Sequence, residues 1–131
     1  MKKTNSLPRH DSSTTGRDGE EVAVRFLKAH GYVILERNCR LPGGELDISA
    51  QDGGCLVVVE VKTRRGSQFG SPFEAVDARK QWRLAAAALE YMAARNLDMP
   101  LRFDVVAVFA GKNACRVELL QNAFECEGIS S

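Results

Sequence analysis

The chain has 131 residues, 44% of them hydrophobic and 27% charged, and its 18 Lys and Arg nearly balance 17 Asp and Glu for a formal net charge of +1. That length points to one domain with a core of its own. The near balance excludes a strongly charged disordered chain and excludes binding of nucleic acid through net charge alone.

No apolar run approaches the roughly 18 residues that span a bilayer. Met1-Lys2-Lys3 is followed by no hydrophobic segment of a secretory signal. The chain is therefore expected in the cytoplasm, away from membranes, with Cys39, Cys55, Cys115 and Cys126 as reduced thiols in no zinc-site spacing.

Residues 1–15 are polar, contain Pro8 and Ser12-Ser13-Thr14-Thr15, and read as a flexible N-terminal tail. From Arg17 to about His30 the pattern is helical. Val22, Phe26 and Ala29 share a face with Ala23 and Leu27 beside them. Asp18, Glu20 and Glu21 favour the first turn through the helix dipole, and Gly31 ends it. Tyr32 to about Asn38 reads as a first strand, followed by a turn at Leu41-Pro42-Gly43-Gly44. Glu45–Ala50 alternates cleanly: Leu46, Ile48 and Ala50 face one way, Glu45, Asp47 and Ser49 the other. Gln51-Asp52-Gly53-Gly54 joins it to a third strand, Cys55–Thr63, whose apolar side chains on both faces mark it as interior.

Residues 65–73 form a Gly/Ser-rich loop with Phe69 and Phe73, expected to overhang whatever lies at the end of the third strand. A long helix rich in Ala and Leu is predicted from about Ala75 to Asn96, a fourth strand over Leu101–Ala110 and a fifth over Cys115–Leu120, with residues 122–131 as a C-terminal tail. The order α-β-β-β-α-β-β makes residues 16–121 one α/β domain with a central mixed five-stranded sheet flanked by helices. The first three strands form an antiparallel meander. The crossover through the long helix makes the third and fourth parallel.

The chemistry-bearing residues concentrate in the middle of the chain. Glu60 and Lys62 end the apolar run Cys55–Val59, and their spacing puts them on one face, roughly 6.5 Å apart along the strand. Charges at the end of a buried strand are costly unless paired or metal-bound. Asp47 stands on the preceding strand, where aspartate is disfavoured. Two acids on neighbouring strands with a lysine beside them can hold a hard divalent cation next to a positive group, which suits phosphodiester hydrolysis. The competing readings are plain: Glu45, Asp47 and Ser49 as a face open to water, and Glu60 with Lys62 as an ion pair at a strand end. Glu20 is a further candidate, with Glu21 its rival. Arg37 and Arg40 lie just before the Asp47 strand, and Lys62, Arg64 and Arg65, then Arg79, Lys80 and Arg83, form two more basic clusters.

Taken together, Gly16-x-x-Gly19-Glu20-x-x-Ala23, Asn38-x-Arg40, Gly44-Glu45-Leu46-Asp47, Val59-Glu60-Val61-Lys62-x-Arg64, Phe69-Gly70, Lys80 and Arg102-Phe103-Asp104-Val105-Val106 give a combination that resembles the YraN family of bacterial proteins. That family is similar to archaeal-type Holliday junction resolvases and, more broadly, to the PD-(D/E)xK nuclease superfamily. The resemblance covers about residues 16 to 109. One departure is Leu46, which stands where the superfamily carries a proline before the aspartate.

The resemblance implies a restriction-endonuclease-like fold and a metal-dependent endonuclease acting on DNA, including branched DNA such as a four-way junction. It favours Glu20 over Glu21. In that reading Asp47 and Glu60 hold Mg²⁺ (or Mn²⁺) with the backbone carbonyl of Val61, and Lys62 orients the nucleophile or stabilises the charged phosphorane. Glu20 supports an outer-shell water, and Arg40, Arg64 and Lys80 contact phosphates. A homodimer is also implied, since a four-way junction offers two symmetric cutting sites, but no residue pattern locates its surface. Two rival classes remain at this stage: a nucleic-acid-binding module with a relict site, and a protein-interaction domain, for which the near-neutral charge speaks.

Overall fold

The computed structural model describes residues 2–8, 16–65, 76–112 and 114–125. Its elements in chain order are β1 (Lys2–Pro8), α1 (Gly16–Ala29), β2 (Val33–Leu41), β3 (Gly44–Asp52), β4 (Cys55–Arg65), α2 (Ala78–Ala94), β5 (Leu101–Ala110) and β6 (Ala114–Leu120). They make a mixed α/β fold with one open sheet, in the order β1-β6-β5-β4-β3-β2. The β2–β3 and β3–β4 pairs are antiparallel, and β4–β5, joined through α2, is parallel. All five expected strands are present, the first three as an antiparallel meander and the third and fourth parallel, and β5–β6 is antiparallel.

The sixth strand corrects the expected 1–15 tail. Lys2–Pro8 pairs antiparallel with β6, from Lys2 opposite Leu120 to Pro8 opposite Ala114. Its sequence KKTNSLP carries no apolar alternation. It is extended because it completes the open edge of β6, where ladder hydrogen bonds outweigh poor strand propensity. The expected C-terminal tail also begins packed: the Asn122 N–H donates to Asp104 Oδ1 at 2.9 Å, and Phe124 stacks on Phe103. The loop expected over 65–73, apart from Arg65, lies outside the described residues, as does Cys126.

Strand alternation sorts the core into two layers. Val57, Val59, Val106 and Val108 pack with Val22, Ala23, Phe26 and Leu27 of α1. Leu56, Val58, Phe103 and Val105 pack with Leu84, Ala85, Ala88 and Tyr91 of α2. Each buried aliphatic or aromatic side chain contributes about 1.5–3 kcal/mol, so these layers dominate the stability. The expected common face of Leu46, Ile48 and Ala50 is broken: Ile48 and Ala50 join the α1 layer, Leu46 the α2 layer. The change falls where the β3–β4 ladder stops, at Ile48 opposite Val59.

The helix ends follow local chemistry. α2 starts at Ala78 rather than Ala75 because Asp77 is its N-cap, accepting from the Lys80 N–H at 2.9 Å. It closes at Arg95, and Asn96 takes φ 54°, a conformation asparagine tolerates. In α1, Gly19 is packed so tightly on β4 that a Cβ there would lie 2.2 Å from Thr63 Oγ1. That close approach brings the next residue, Glu20, to the end of β4.

Arg102 and Asp104 form a buried polar cluster. The Asp104 carboxylate, 1% exposed, accepts from Tyr32 Oη at 2.7 Å, from Arg102 Nε at 2.9 Å and from Arg102 Nη2 at 2.8 Å. Arg102 also reaches Asp52 at 2.9 Å, and Gln121 Nε2 donates to the Tyr32 hydroxyl at 2.9 Å. Burial, then the hydrogen bond to Asp104, raises the Tyr32 phenol well above its usual range and keeps it a donor. The cluster ties the exit of α1, the end of β3, the start of β5 and the exit of β6 together. Asp104→Ala leaves Tyr32 and Arg102 without their shared acceptor and is expected to destabilise the protein by about 3 kcal/mol. Urea unfolding measures it, and a loss below about 1 kcal/mol would show that the cluster does not fasten the fold.

Candidate active site

The site is built where the sheet splits. Past Ile48 and Val59 the next residues would be Asp47 and Glu60, but β3 and β4 no longer pair there. Instead the Asp47 carboxylate takes the Val61 N–H at 2.9 Å, replacing the lost strand partner. Side chains from both helical layers reach this gap, Glu20 from α1 and Lys80 from α2.

Glu60 is the buried anchor, 4% exposed. Its Oε2 lies 3.2 Å from Lys62 Nζ and 3.0 Å from Lys80 Nζ. Two ammonium groups on one carboxylate oxygen balance a charge that burial alone would make very costly. Asp47 is less well provided for. Burial first, and then the neighbouring charge of Glu60, push its carboxyl up to about 7 against the opposing Val61 hydrogen bond; Glu20 adds a smaller push in the same direction. A pair of carboxyl groups in which one charge disfavours the other is relieved by a cation between them.

Glu20 and Glu21 separate clearly. Glu20 Oε1 accepts from Asn38 Nδ2 at 3.0 Å and lies 3.9 Å from Arg37. Glu21 turns outward to Arg37 at 2.9 Å and is 58% exposed. Asn38 falls between Arg37, paired with Ile48, and Cys39, paired with Leu46, so it stands across from Asp47. Its φ is 52°. Asn38 thus links Glu20 to the site, a role the sequence showed only as one letter of the Asn38-x-Arg40 motif.

The phosphate-contact candidates scatter. Lys80 sits on Glu60 beside Lys62, inside the acid cluster rather than at its rim. Arg64 Nη1 donates to the Thr63 carbonyl at 3.1 Å. Arg40 is on the edge strand, 88% exposed, 3.9 Å from Glu45. Arg83, one turn beyond Lys80, joins the site instead: with Gly44, Glu45, Asp47, Glu60 and Lys80 it lines an open cleft of about 280 Å³. The sequence signal for Arg83 was the three-residue spacing from Lys80 on one helix.

Among the described residues, no three His, Cys, Asp or Glu side chains are grouped to hold a metal by themselves. The donor set still suits Mg²⁺, which takes one or two carboxylates and keeps several waters. Asp47, Glu60 and the Val61 carbonyl are the oxygen donors that would hold such an ion, without a third acid. No helix among the described residues is long and apolar enough to cross a membrane.

The chain is 52% identical over 115 residues to a UPF0102 protein of Symbiobacterium thermophilum, covering 86% of this chain and 98% of that one. It is 46% identical over 112 residues to one from Syntrophus aciditrophicus, covering 85% and 88%. With a UPF0102 protein of Thermodesulfovibrio yellowstonii it shares 42% identity over 109 residues, covering 83% and 94%. The family described as "Uncharacterised protein family UPF0102" matches residues 19–108, which take in most of α1, all of β2 to β4 and α2 and most of β5, and so every acid and lysine of the cleft, and the chain belongs to that family.

Proposed function

We propose that this protein is a metal-dependent endonuclease of the restriction-endonuclease-like, resolvase-related type, hydrolysing DNA phosphodiester bonds, with branched DNA the preferred substrate class. The observation that carries this reading is the meeting of Asp47, Glu60 and Lys62 at the split between β3 and β4, with Lys80 and Arg83 beside them at the same cleft.

Asp47 and Glu60 are the residues that would hold Mg²⁺ or Mn²⁺, with the Val61 carbonyl as a further donor. Such an ion supplies an acidified water and offsets charge on the phosphate. Lys62 extends from an interior strand, and its ammonium is directed at the acid pair by Glu60. There it orients the attacking water and stabilises negative charge on the phosphoryl oxygens. Lys80, reaching the same oxygen from α2, pairs the Glu60 carboxylate and holds it in place. Glu20, fixed by Asn38, accepts a hydrogen bond from a water at the edge of the site. Arg83 on α2 offers the cleft a guanidinium for a neighbouring phosphate.

A second reading draws on one observation. Both lysines are spent on Glu60, as in a site whose acid has become structural, so the fold would serve as a silent nucleic-acid-binding module. Incubating labelled linear duplex, single-stranded, flap and four-way-junction DNA with the protein in Mg²⁺, Mn²⁺ or EDTA separates the two. Cutting in either metal and none in EDTA is expected. Binding with no cutting of any substrate would replace the nuclease by the binding module.

A further inference from the structure

Trp82 is the chain's single tryptophan, and it is 63% exposed. A lone exposed apolar side chain needs no explanation by itself. The neighbours of this one give it meaning. Arg79 is three residues before it, on the same face of α2, and Arg83 follows it directly; both are exposed. Arg83 also lines the cleft that holds Asp47, Glu60 and Lys80. At about 100° per residue the order around α2 is Trp82, Arg79, Arg83, Lys80, so two exposed arginines lead from the cleft to the indole.

We propose that Trp82 is a stacking platform for an unpaired base of the nucleic acid whose backbone occupies the cleft. Resting on the nuclease reading of that cleft, this deepens it by naming the substrate class as DNA with unpaired nucleotides beside the cut. Arg79 and Arg83, lying between the indole and the cleft, match the charge of the phosphates that join a base stacked on the indole to the backbone in the cleft. Every base has a π-face, so the platform is tolerant of sequence. In an intact duplex both faces of each base are covered by neighbouring pairs. The indole therefore selects single-stranded or branched segments over continuous helix.

The indole is its own reporter, because no other tryptophan contributes to the emission. Wild-type protein is titrated in EDTA, which prevents cutting, with a fluorescein-labelled oligothymidylate and with a blunt duplex of the same length. DNA anisotropy and tryptophan emission are followed together. Oligothymidylate is expected to quench the emission as it binds, and the duplex to bind without comparable quenching. Trp82→Ala is expected to weaken oligothymidylate binding by about tenfold and duplex binding little, with Trp82→Phe restoring most of the loss. Oligothymidylate that binds without quenching, or a Trp82→Ala variant that binds it as tightly as wild type, would overturn the platform while leaving the nuclease reading intact. A Trp82→Ala variant that sediments as a smaller species with unchanged DNA affinity would assign the indole to contact between copies of this chain, and also overturns it. Failure of the wild-type protein to bind either DNA would remove the reading of the cleft, and the platform with it.

Discussion

Lys62→Ala is expected to lower metal-dependent cleavage by a factor on the order of 10²–10³ or more, while DNA binding stays largely intact. Lys62 is the cationic side chain presented to the acid pair from an interior strand, 20% exposed and 3.2 Å from Glu60. Loop motion cannot replace it, because β4 is hydrogen-bonded to β5 from Leu56 to Arg65. The fold should survive the substitution, since Lys80 remains 3.0 Å from the same Glu60 oxygen and keeps that buried charge paired. Single-turnover cleavage and DNA anisotropy, measured side by side, read the two effects. A Lys62→Ala variant that cuts at the wild-type rate would exclude Lys62 from the chemistry.

Asp47→Asn is expected to do two opposite things: stabilise the metal-free protein and abolish metal binding. The Asp47 carboxyl lies at about 7 in the folded chain, against an ordinary value of 3.8, from burial first and then from Glu60. An acid whose folded value lies above its unfolded one is held more tightly as the neutral form in the native state. Below about pH 4 it therefore costs nothing. Its ionisation destabilises the fold progressively between about pH 4 and pH 7, and the penalty is complete above that. A shift of this size is worth on the order of 2–4 kcal/mol. Asparagine removes the charge and keeps an oxygen for the Val61 N–H. Urea unfolding in EDTA should thus show the variant more stable than wild type at about pH 8 and nearly equal to it at about pH 4. Adding Mg²⁺ is expected to raise the stability of wild type, as an ion held only by the folded state does, and to leave Asp47→Asn unchanged. A variant less stable than wild type at about pH 8 would show that the carboxylate is not under strain. This is the trade expected of a functional group: residues that serve a site are often costly to the fold.

The acid pair and its lysine were legible because they contradict their surroundings. Glu60 and Lys62 end a strand that is otherwise apolar on both faces, and Asp47 interrupts a strand where aspartate is disfavoured, so local pattern alone singled them out. The two-layer core followed from the same alternation along β4 and β5. What stayed hidden was set by partners distant in sequence. Lys2–Pro8 has the composition of a tail and becomes a strand only because β6 offers an edge. Lys80 looked like one of three cations on a helix, and only the packing of α2 on the sheet sets it against Glu60. Asn38 and Glu20 meet across 18 positions, and Tyr32 and Asp104 across 72, separations at which no periodicity carries information. Leu46 lies on the other face from Ile48, beyond the last β3–β4 pair, where strict alternation no longer holds. The carboxyl groups that meet at the cleft were thus visible in the chain, and the contacts of Lys80 and Asn38 that hold them there were not.

The most direct measurement mixes the protein with a labelled four-way junction in EDTA, lets the complex form, and then adds excess Mg²⁺, with Asp47→Asn treated in parallel. The predicted result is a bound and uncut junction in EDTA, cut product appearing only after Mg²⁺ is added, and none from the variant. Cut product in EDTA, an equal rate from Asp47→Asn, or a junction that stays bound and whole in Mg²⁺ would contradict the assignment of this cleft to metal-dependent phosphodiester hydrolysis.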